Sequence, residues 1–229
     1  VGCGMDEGIE LLIRVFCTAY QDNIVTTKPT FSYYKVAADI HGIETRELAI
    51  GDAPDFALDL DGLIGLCDAQ TKIVFLCTPN NPTGNSLSLA QIEYVLQALP
   101  ETVIAIDEAY IEFSVIPSAI ALMAKYTNLV VMKTMSKAFA FAGERSGSVL
   151  AQAETIELIR KVMAPYPFAE PCIRVALQTL APQGLYLAQQ RIDTLKVERE
   201  RVFKALQAVV GIKVYPSDAN FLLIQVADA

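Results

Sequence analysis

The sequence predicts an α/β fold: a mostly parallel sheet with helices on both faces, followed by the start of a small α/β domain. Three observations carry this. Strand-length runs such as Val103–Asp107 and Leu129–Thr134 are nearly continuous in apolar residues, as in strands covered on both faces. Segments of helical period separate them. A long charged helix then leads into two short strand-like pieces that do not complete a second unit.

In chain order, Ile9, Leu12, Ile13 and Phe16 recur at helical spacing and predict a helix over Met5–Tyr20. The β-branched run Asn23–Thr27 predicts a strand, Tyr33–Ile40 a helix closed by Gly42, and Glu44–Ile50 a short strand. Leu58–Cys67 reads as a helix, despite Gly62 and Gly65. Lys72–Thr78 is a strand running into a Pro-Asn-Asn-Pro loop. Ser88 with Gln91 three residues on makes a capping box, so a helix is expected over Leu89–Leu99. Strands are expected at Val103–Asp107, Leu129–Thr134 and Ser146–Leu150. Helices follow at Glu154–Met163, Pro171–Leu180 and about Tyr186–Val209, then strand pieces at Lys213–Tyr215 and Phe221–Val226. The expected division is a large domain over residues 1–184 and, over 185–229, a bridging helix with the beginning of a small domain.

The chain has 229 residues, 53% of them hydrophobic, which suffices for one substantial core and part of another. Its formal charge of −8 and lack of a basic run argue against nucleic acid and anionic lipid as partners. Five cysteines, an odd number with no C-x-x-C pair, fit a reduced cytoplasmic protein with scattered core thiols. A single histidine, His41, rules out a multi-histidine metal site, and no metal is expected. His41 precedes Gly42 and reads as a helix-end residue. No apolar run reaches the roughly 18 residues of a membrane span. The opening Val1-Gly2, without an initiator methionine or signal peptide, suggests a fragment.

The chemistry concentrates in segments that end predicted strands, where open α/β sheets bind ligands. Asn81 lies in Pro79-Asn80-Asn81-Pro82-Thr83-Gly84, Asp107 and Tyr110 in Asp107-Glu108-Ala109-Tyr110, and Lys137 in Thr134-Met135-Ser136-Lys137. Together they offer an amine, a carboxylate at the end of an apolar strand, two donors for a ring oxygen and, in Arg145, a phosphate fork. Pyridoxal 5'-phosphate (PLP) needs that set. Lys137 is the expected Schiff-base residue and proton carrier; Lys133 is a rival, but it falls inside the strand. Asp107 is expected to pair with the pyridine nitrogen, since a carboxylate there is costly unless paired. Glu108 reads as an orienting or structural acid. Tyr110 and Asn81 would donate to the ring oxygen, although Asn81 also suits a turn. Arg145, Ser136, Thr134 and the small-residue turn Gly4-Met5-Asp6 opening the first helix would hold phosphate. Phe31 is placed to stack on the ring, with core packing the commoner fate of an aromatic; Tyr33 and Tyr34 stay ambiguous.

These segments resemble the fold type I PLP-dependent aminotransferases, and within them the histidinol-phosphate aminotransferase branch. The narrower signals are Asp-Glu-Ala-Tyr-Ile-Glu-Phe at 107–113 and Ala-Pro-Tyr-Pro at 164–167. The resemblance implies the large domain of a PLP-dependent transferase. It implies a homodimer that moves an amino group between L-glutamate and imidazole acetol phosphate in histidine biosynthesis. It implies that Lys137, Asp107 and Tyr110 are catalytic, with the cofactor contacts as assigned above. Phe31 stands where the family often has tyrosine. Glu144 departs from the pattern, as an acid beside Arg145 is unfavourable unless it points away. The resemblance also implies a clipped first strand, an N-terminal arm before Val1 and an arginine-bearing segment after Ala229, so poor cofactor binding and slow turnover or none are expected of the chain as it stands. Two other readings are a threonine-phosphate decarboxylase-like enzyme, which shares the motifs, and a non-catalytic sensing domain of the same fold. The latter occurs beside basic DNA-binding domains, and none is present here.

Overall fold

The computed structural model describes residues 2–52 and 55–226. A seven-stranded sheet has the order β1-β7-β6-β5-β4-β2-β3, built from Gly2–Cys3 (β1), Asn23–Lys28 (β2), Glu44–Ala49 (β3), Thr71–Cys77 (β4), Val103–Asp107 (β5), Leu129–Thr134 (β6) and Ser146–Leu150 (β7). The strands β2 to β6 pair in parallel, whereas β7 runs antiparallel to β6 and to β1. The helices are Gly4–Phe16 (α1), Tyr33–Ile40 (α2), Leu60–Gly65 (α3), Leu89–Ala98 (α4), Ala153–Val162 (α5), Glu170–Thr179 (α6) and Pro182–Gln207 (α7). A separate antiparallel pair joins Ile212–Val214 (β8) to Ile224–Val226 (β9).

The sheet has a core on each face, and the period of two along each strand assigns residues to them. Ile73, Phe75, Ala105, Val130 and Met132 pack on one face with Ile9, Leu12, Tyr34 and Ala37 of α1 and α2. Val74, Leu76, Ile104, Ile106, Leu129 and Val131 pack on the other with Leu63, Ile92, Val95 and Leu96 of α3 and α4. The registers Cys77↔Asp107 and Asp107↔Met132 align the strand ends. Asp107 therefore falls on the α1/α2 face, while Lys133, alternating with Met132, falls on the α3/α4 face.

Several boundaries differ from the sequence reading. The first helix stops at Phe16 rather than Tyr20 because Cys17 is extended and Asp22 captures the Thr18 amide at 2.6 Å, closing a turn. Tyr20 lies beyond it with φ 62°. The predicted Leu58–Cys67 helix is only Leu60–Gly65, started by Asp59, whose carboxylate accepts from the Gly62 amide at 2.9 Å. The last helix starts earlier, with Pro182 in its first turn, and ends at Gln207. The strand expected over Phe221–Val226 begins only at Ile224, and Phe221 packs edge-on against Tyr110, ring centroids 5.1 Å apart. Gly2 and Cys3, for which no strand is expected from the sequence, pair with Gly147 and Ser146. The capping box at Ser88 and Gln91 is present. All five cysteines are free, but only Cys77 is buried and Cys3 is exposed, so the thiols are not uniformly in the core. Among the described residues no helix is long and apolar enough to cross a membrane.

Candidate active site

At the carboxyl ends of β4, β5 and β6, on the α1/α2 face, lies a cavity of about 190 Å³. Its lining draws on α1 (Met5, Asp6), the segment before α2 (Phe31), the loop after β4 (Asn81), the turn after β5 (Asp107, Tyr110), and the loop from β6 to β7 (Thr134, Ser136, Lys137, Arg145). Every cofactor-contact residue expected from the sequence lines this cavity except Gly4, which sits behind Arg145. Cys77, Ala109 and Ala142 also line it and were not anticipated. Cys77 could have been, because it alternates with Phe75 and Ile73 on the face that carries Asp107.

Asp107 is 1% exposed. Its Oδ1 accepts the Ala109 amide at 2.9 Å, and its Oδ2 accepts the Tyr34 hydroxyl. Burial pushes its carboxyl up to about 6, against these two hydrogen bonds, which favour the charged form; Asp6 and Glu108 add to the rise. Among the described residues no lysine or arginine forms an ion pair with it. Tyr110 is buried beside it, and desolvation, with Cys77 and Asp107 nearby, raises its hydroxyl to about 12, so it is a donor at neutral pH. Burial likewise drives the Cys77 thiol well up. Lys137 carries its amine 5.6 Å from the Tyr110 ring centroid.

The rival Lys133 is engaged elsewhere. Its amine lies 3.3 Å from Glu108 Oε2 and 3.1 Å from Glu112 Oε1. Glu108 also accepts from the Ser118 hydroxyl and the Ala119 amide, each at 2.6 Å. This acid and its lysine clamp the segment after β5, a structural role.

The far end of the cavity is cationic. Arg145 reaches Asp6 Oδ2 at 3.0 Å and the Ala142 carbonyl at 3.1 Å, from a left-handed backbone with φ 52°. That conformation costs a non-glycine residue about 1–2 kcal/mol, so the surrounding loop holds the guanidinium in place. Gly4 has φ 82°, and a Cβ there would stand 2.6 Å from Arg145 Nη2. The first-turn amides of α1 open at the same spot, and such amides lack intrahelical acceptors. Thr134 and Ser136 complete this end, their hydroxyls 2.9 Å apart. Glu144 is not among the residues lining the cavity; it lies near the Cys172 thiol of α6, whose pKa it raises.

The loop carrying Asn81 is held rigidly. Asn80 donates to Thr83 Oγ1 at 2.7 Å and to the Pro29 carbonyl at 3.1 Å, while Thr30 donates to Asn80 Oδ1 at 2.7 Å. Phe31 meets Tyr34 edge-on, centroids 5.6 Å apart, beside the cavity. The arrangement suits a flat ring that presents a protonated nitrogen to Asp107, an oxygen to Asn81 and Tyr110, a reactive carbonyl to Lys137 and an anionic tail to Arg145. Among the described residues no group of three or more His, Cys, Asp or Glu side chains is gathered as a metal site would require.

A family model described as "Aminotransferase class I and II" matches residues 1–229. The chain is similar to histidinol-phosphate aminotransferase 2 of Idiomarina loihiensis, 44% identical over 229 residues, which are 99% of this chain and 64% of that protein. It spans about 64% of the length of the curated relatives it matches. Among solved structures it is similar to the histidinol-phosphate aminotransferase of Clostridium acetobutylicum: TM-score 0.88, 26% identity, covering 100% of this chain and 67% of that one. The histidinol-phosphate aminotransferase of Sinorhizobium meliloti, solved with pyridoxal-5'-phosphate, shares the fold at TM-score 0.89 and 23% identity, covering 99% of this chain and 61% of that one.

Proposed function

The chain belongs to the class I and II aminotransferase family, and from that premise we propose that it binds PLP at the β4–β6 strand ends and serves amino-group transfer. The substrates proposed are L-glutamate and imidazole acetol phosphate, with L-histidinol phosphate formed. One observation carries the reading: Lys137, Asp107, Asn81, Tyr110 and Arg145, from three separate loops, line one cavity. The 44% identity to a histidinol-phosphate aminotransferase supports the substrate choice. The cofactor fits the donors present, because a buried carboxylate raised to about 6 with no cationic protein partner among the described residues suits a pyridinium.

When bound, the cofactor supplies an aldehyde for amines and a ring that takes up the electron pair freed at the substrate α-carbon. The chain's own groups do the rest. Asp107 keeps the ring nitrogen protonated. Asn81 and the Tyr110 hydroxyl donate to the ring oxygen. Arg145, Thr134, Ser136 and the amides of Gly4, Met5 and Asp6 grip the phosphate. Phe31 covers one ring face. The Lys137 amine would hold and move the proton at the substrate α-carbon. The division at residue 184, a homodimer and a cytoplasmic setting belong to the same proposal. Continuous α7 crosses the division, and Arg199 on it donates to the Ala219 carbonyl at 2.8 Å and to the Phe113 carbonyl at 3.4 Å, tying the last segment to the first unit.

The test is a titration of the chain with PLP, followed by an amino-transfer assay with L-glutamate and imidazole acetol phosphate beside a CO₂-release assay with threonine phosphate. A visible absorbance band that Lys137→Ala removes, with amino transfer and no CO₂, is the expected result. CO₂ release would replace the transferase reading with the decarboxylase one. No band would defeat the cofactor reading.

A further inference from the structure

Tyr34 is a buried polar residue that the scheme above leaves without a task. It is fully buried on α2, its ring stacks on Phe75 at 4.9 Å and 6°, and its hydroxyl donates to Asp107 Oδ2. We propose that Tyr34 is a positioning residue. Its hydroxyl holds the Asp107 carboxylate ionised and aimed, and so keeps a cofactor's pyridine nitrogen protonated. The inference rests on the PLP reading of the cavity.

The geometry supports more than packing. The two Asp107 oxygens are tethered from different elements, Oδ1 by the Ala109 amide in its own turn and Oδ2 by a helix on the sheet's face. Two such tethers fix both the plane and the direction of a carboxylate. The tyrosine ring packs flat against Phe75 in the core of that face. A phenylalanine would fill the same space, and only the hydroxyl needs a partner when buried.

The electrostatics point the same way. Burial disfavours the charged form of Asp107, and the Tyr34 bond opposes it. A hydrogen bond accepted by the charged form holds a carboxyl's midpoint down. Removing it should raise the Asp107 midpoint by about one pH unit, into the neutral range. The other ionisable groups facing Asp107 are Cys77 on β4, Asp6 on α1, Glu108 and Tyr110 in its own turn, and Lys137 and Arg145 across the cavity. Tyr34→Phe removes none of them; it also takes the hydroxyl away from the Cys77 thiol, whose pKa burial already holds well above its ordinary value.

Two measurements on the full chain test this. In the PLP-free protein, the ¹³C signal of the Asp107 carboxyl is titrated in wild type and in Tyr34→Phe. The variant midpoint should lie about one pH unit higher. With PLP labelled at the pyridine ¹⁵N, the bound wild-type nitrogen should read as protonated at neutral pH. In Tyr34→Phe it should move toward the unprotonated value. Phe75→Leu separates this from packing: it keeps the hydroxyl and loses the stack, so Tm should fall while the midpoint stays. An unchanged midpoint in Tyr34→Phe overturns the proposal, as does a midpoint that follows Tm in both variants. A shifted midpoint with an unmoved ¹⁵N signal overturns the link to the pyridine nitrogen. No bound PLP signal in wild type defeats the parent reading and that link, while the carboxyl titration still decides whether Tyr34 tunes Asp107.

Discussion

Asp107 and Glu108 are neighbours in sequence, are both carboxylic acids and are both 1% exposed, yet they face opposite sides of the sheet and have different surroundings. Glu108 meets the Lys133 amine, the Ser118 hydroxyl and the Ala119 amide. Asp107 meets an amide and a phenol but no protein cation among the described residues, and burial lifts its carboxyl to about 6. A buried acid supplied with a cation by its own chain braces the fold. One without that cation is costly to the chain alone and becomes favourable only when a cationic partner arrives. The same contrast separates the two lysines: Lys133 completes the structural cluster, and Lys137 faces the cavity.

Exchanging the lysines should break the contrast most sharply. Lys137→Ala should remove the PLP band and lower amino transfer by about 10²–10⁴-fold, the range for losing a positioned acid–base group. Lys133→Ala should keep the band and lower stability by about 1–3 kcal/mol in urea unfolding, because Glu108 loses its cation but keeps two hydrogen bonds. A band lost with Lys133 and kept without Lys137 would reverse the assignment.

The acids should differ in the sign of their effect. Asp107 has a folded pKa of about 6 against an ordinary 3.8. Between those values the folded chain binds more protons than the unfolded one, so stability falls as pH rises through the window. The full cost, about 3 kcal/mol at 1.36 kcal/mol per unit, is present above pH 6 and absent below 3.8. Asp107→Asn should therefore make the PLP-free chain more stable at pH 7 by about 1–3 kcal/mol, with little change at pH 3.5, while weakening PLP binding. Glu108→Ala should do the reverse: destabilise by about 3 kcal/mol and leave the pH dependence of PLP binding as in wild type. Denaturant unfolding at the two pH values checks both.

The smallest effect concerns the phosphate end. Gly4→Ala places a methyl against Arg145 and forces a left-handed alanine, a cost of about 1–2 kcal/mol. PLP affinity should fall by about tenfold, read by spectrophotometric titration, with the Asp107 midpoint unmoved.

Much of this contrast is legible in the sequence. Apolar strand runs give the parallel sheet, and a carboxylate at the end of Val103–Ile106 singles out Asp107. Strand alternation also excludes Lys133, since it is one residue out of phase with Thr134, which lines the cavity. The partner of Tyr34 is not legible. The spacing of Tyr34, Ala37 and Ala38 marks the buried face of α2. A buried hydroxyl implies an acceptor, but only the packing of α2 on β4 and β5 identifies it as a residue 73 positions away. The direction of β7 is equally hidden, because a short strand after an irregular loop carries no mark of its sense. The early end of α1 turns on the hydrogen bond from the Thr18 amide to Asp22, which competes with helical continuation and leaves the apolar period unchanged.

Borohydride reduction of the PLP-treated chain, followed by peptide mapping, reads directly which amine holds the cofactor. A reduced pyridoxyl adduct is expected on the Lys137 amine alone. An adduct on Lys133, or none on either lysine, would contradict that assignment.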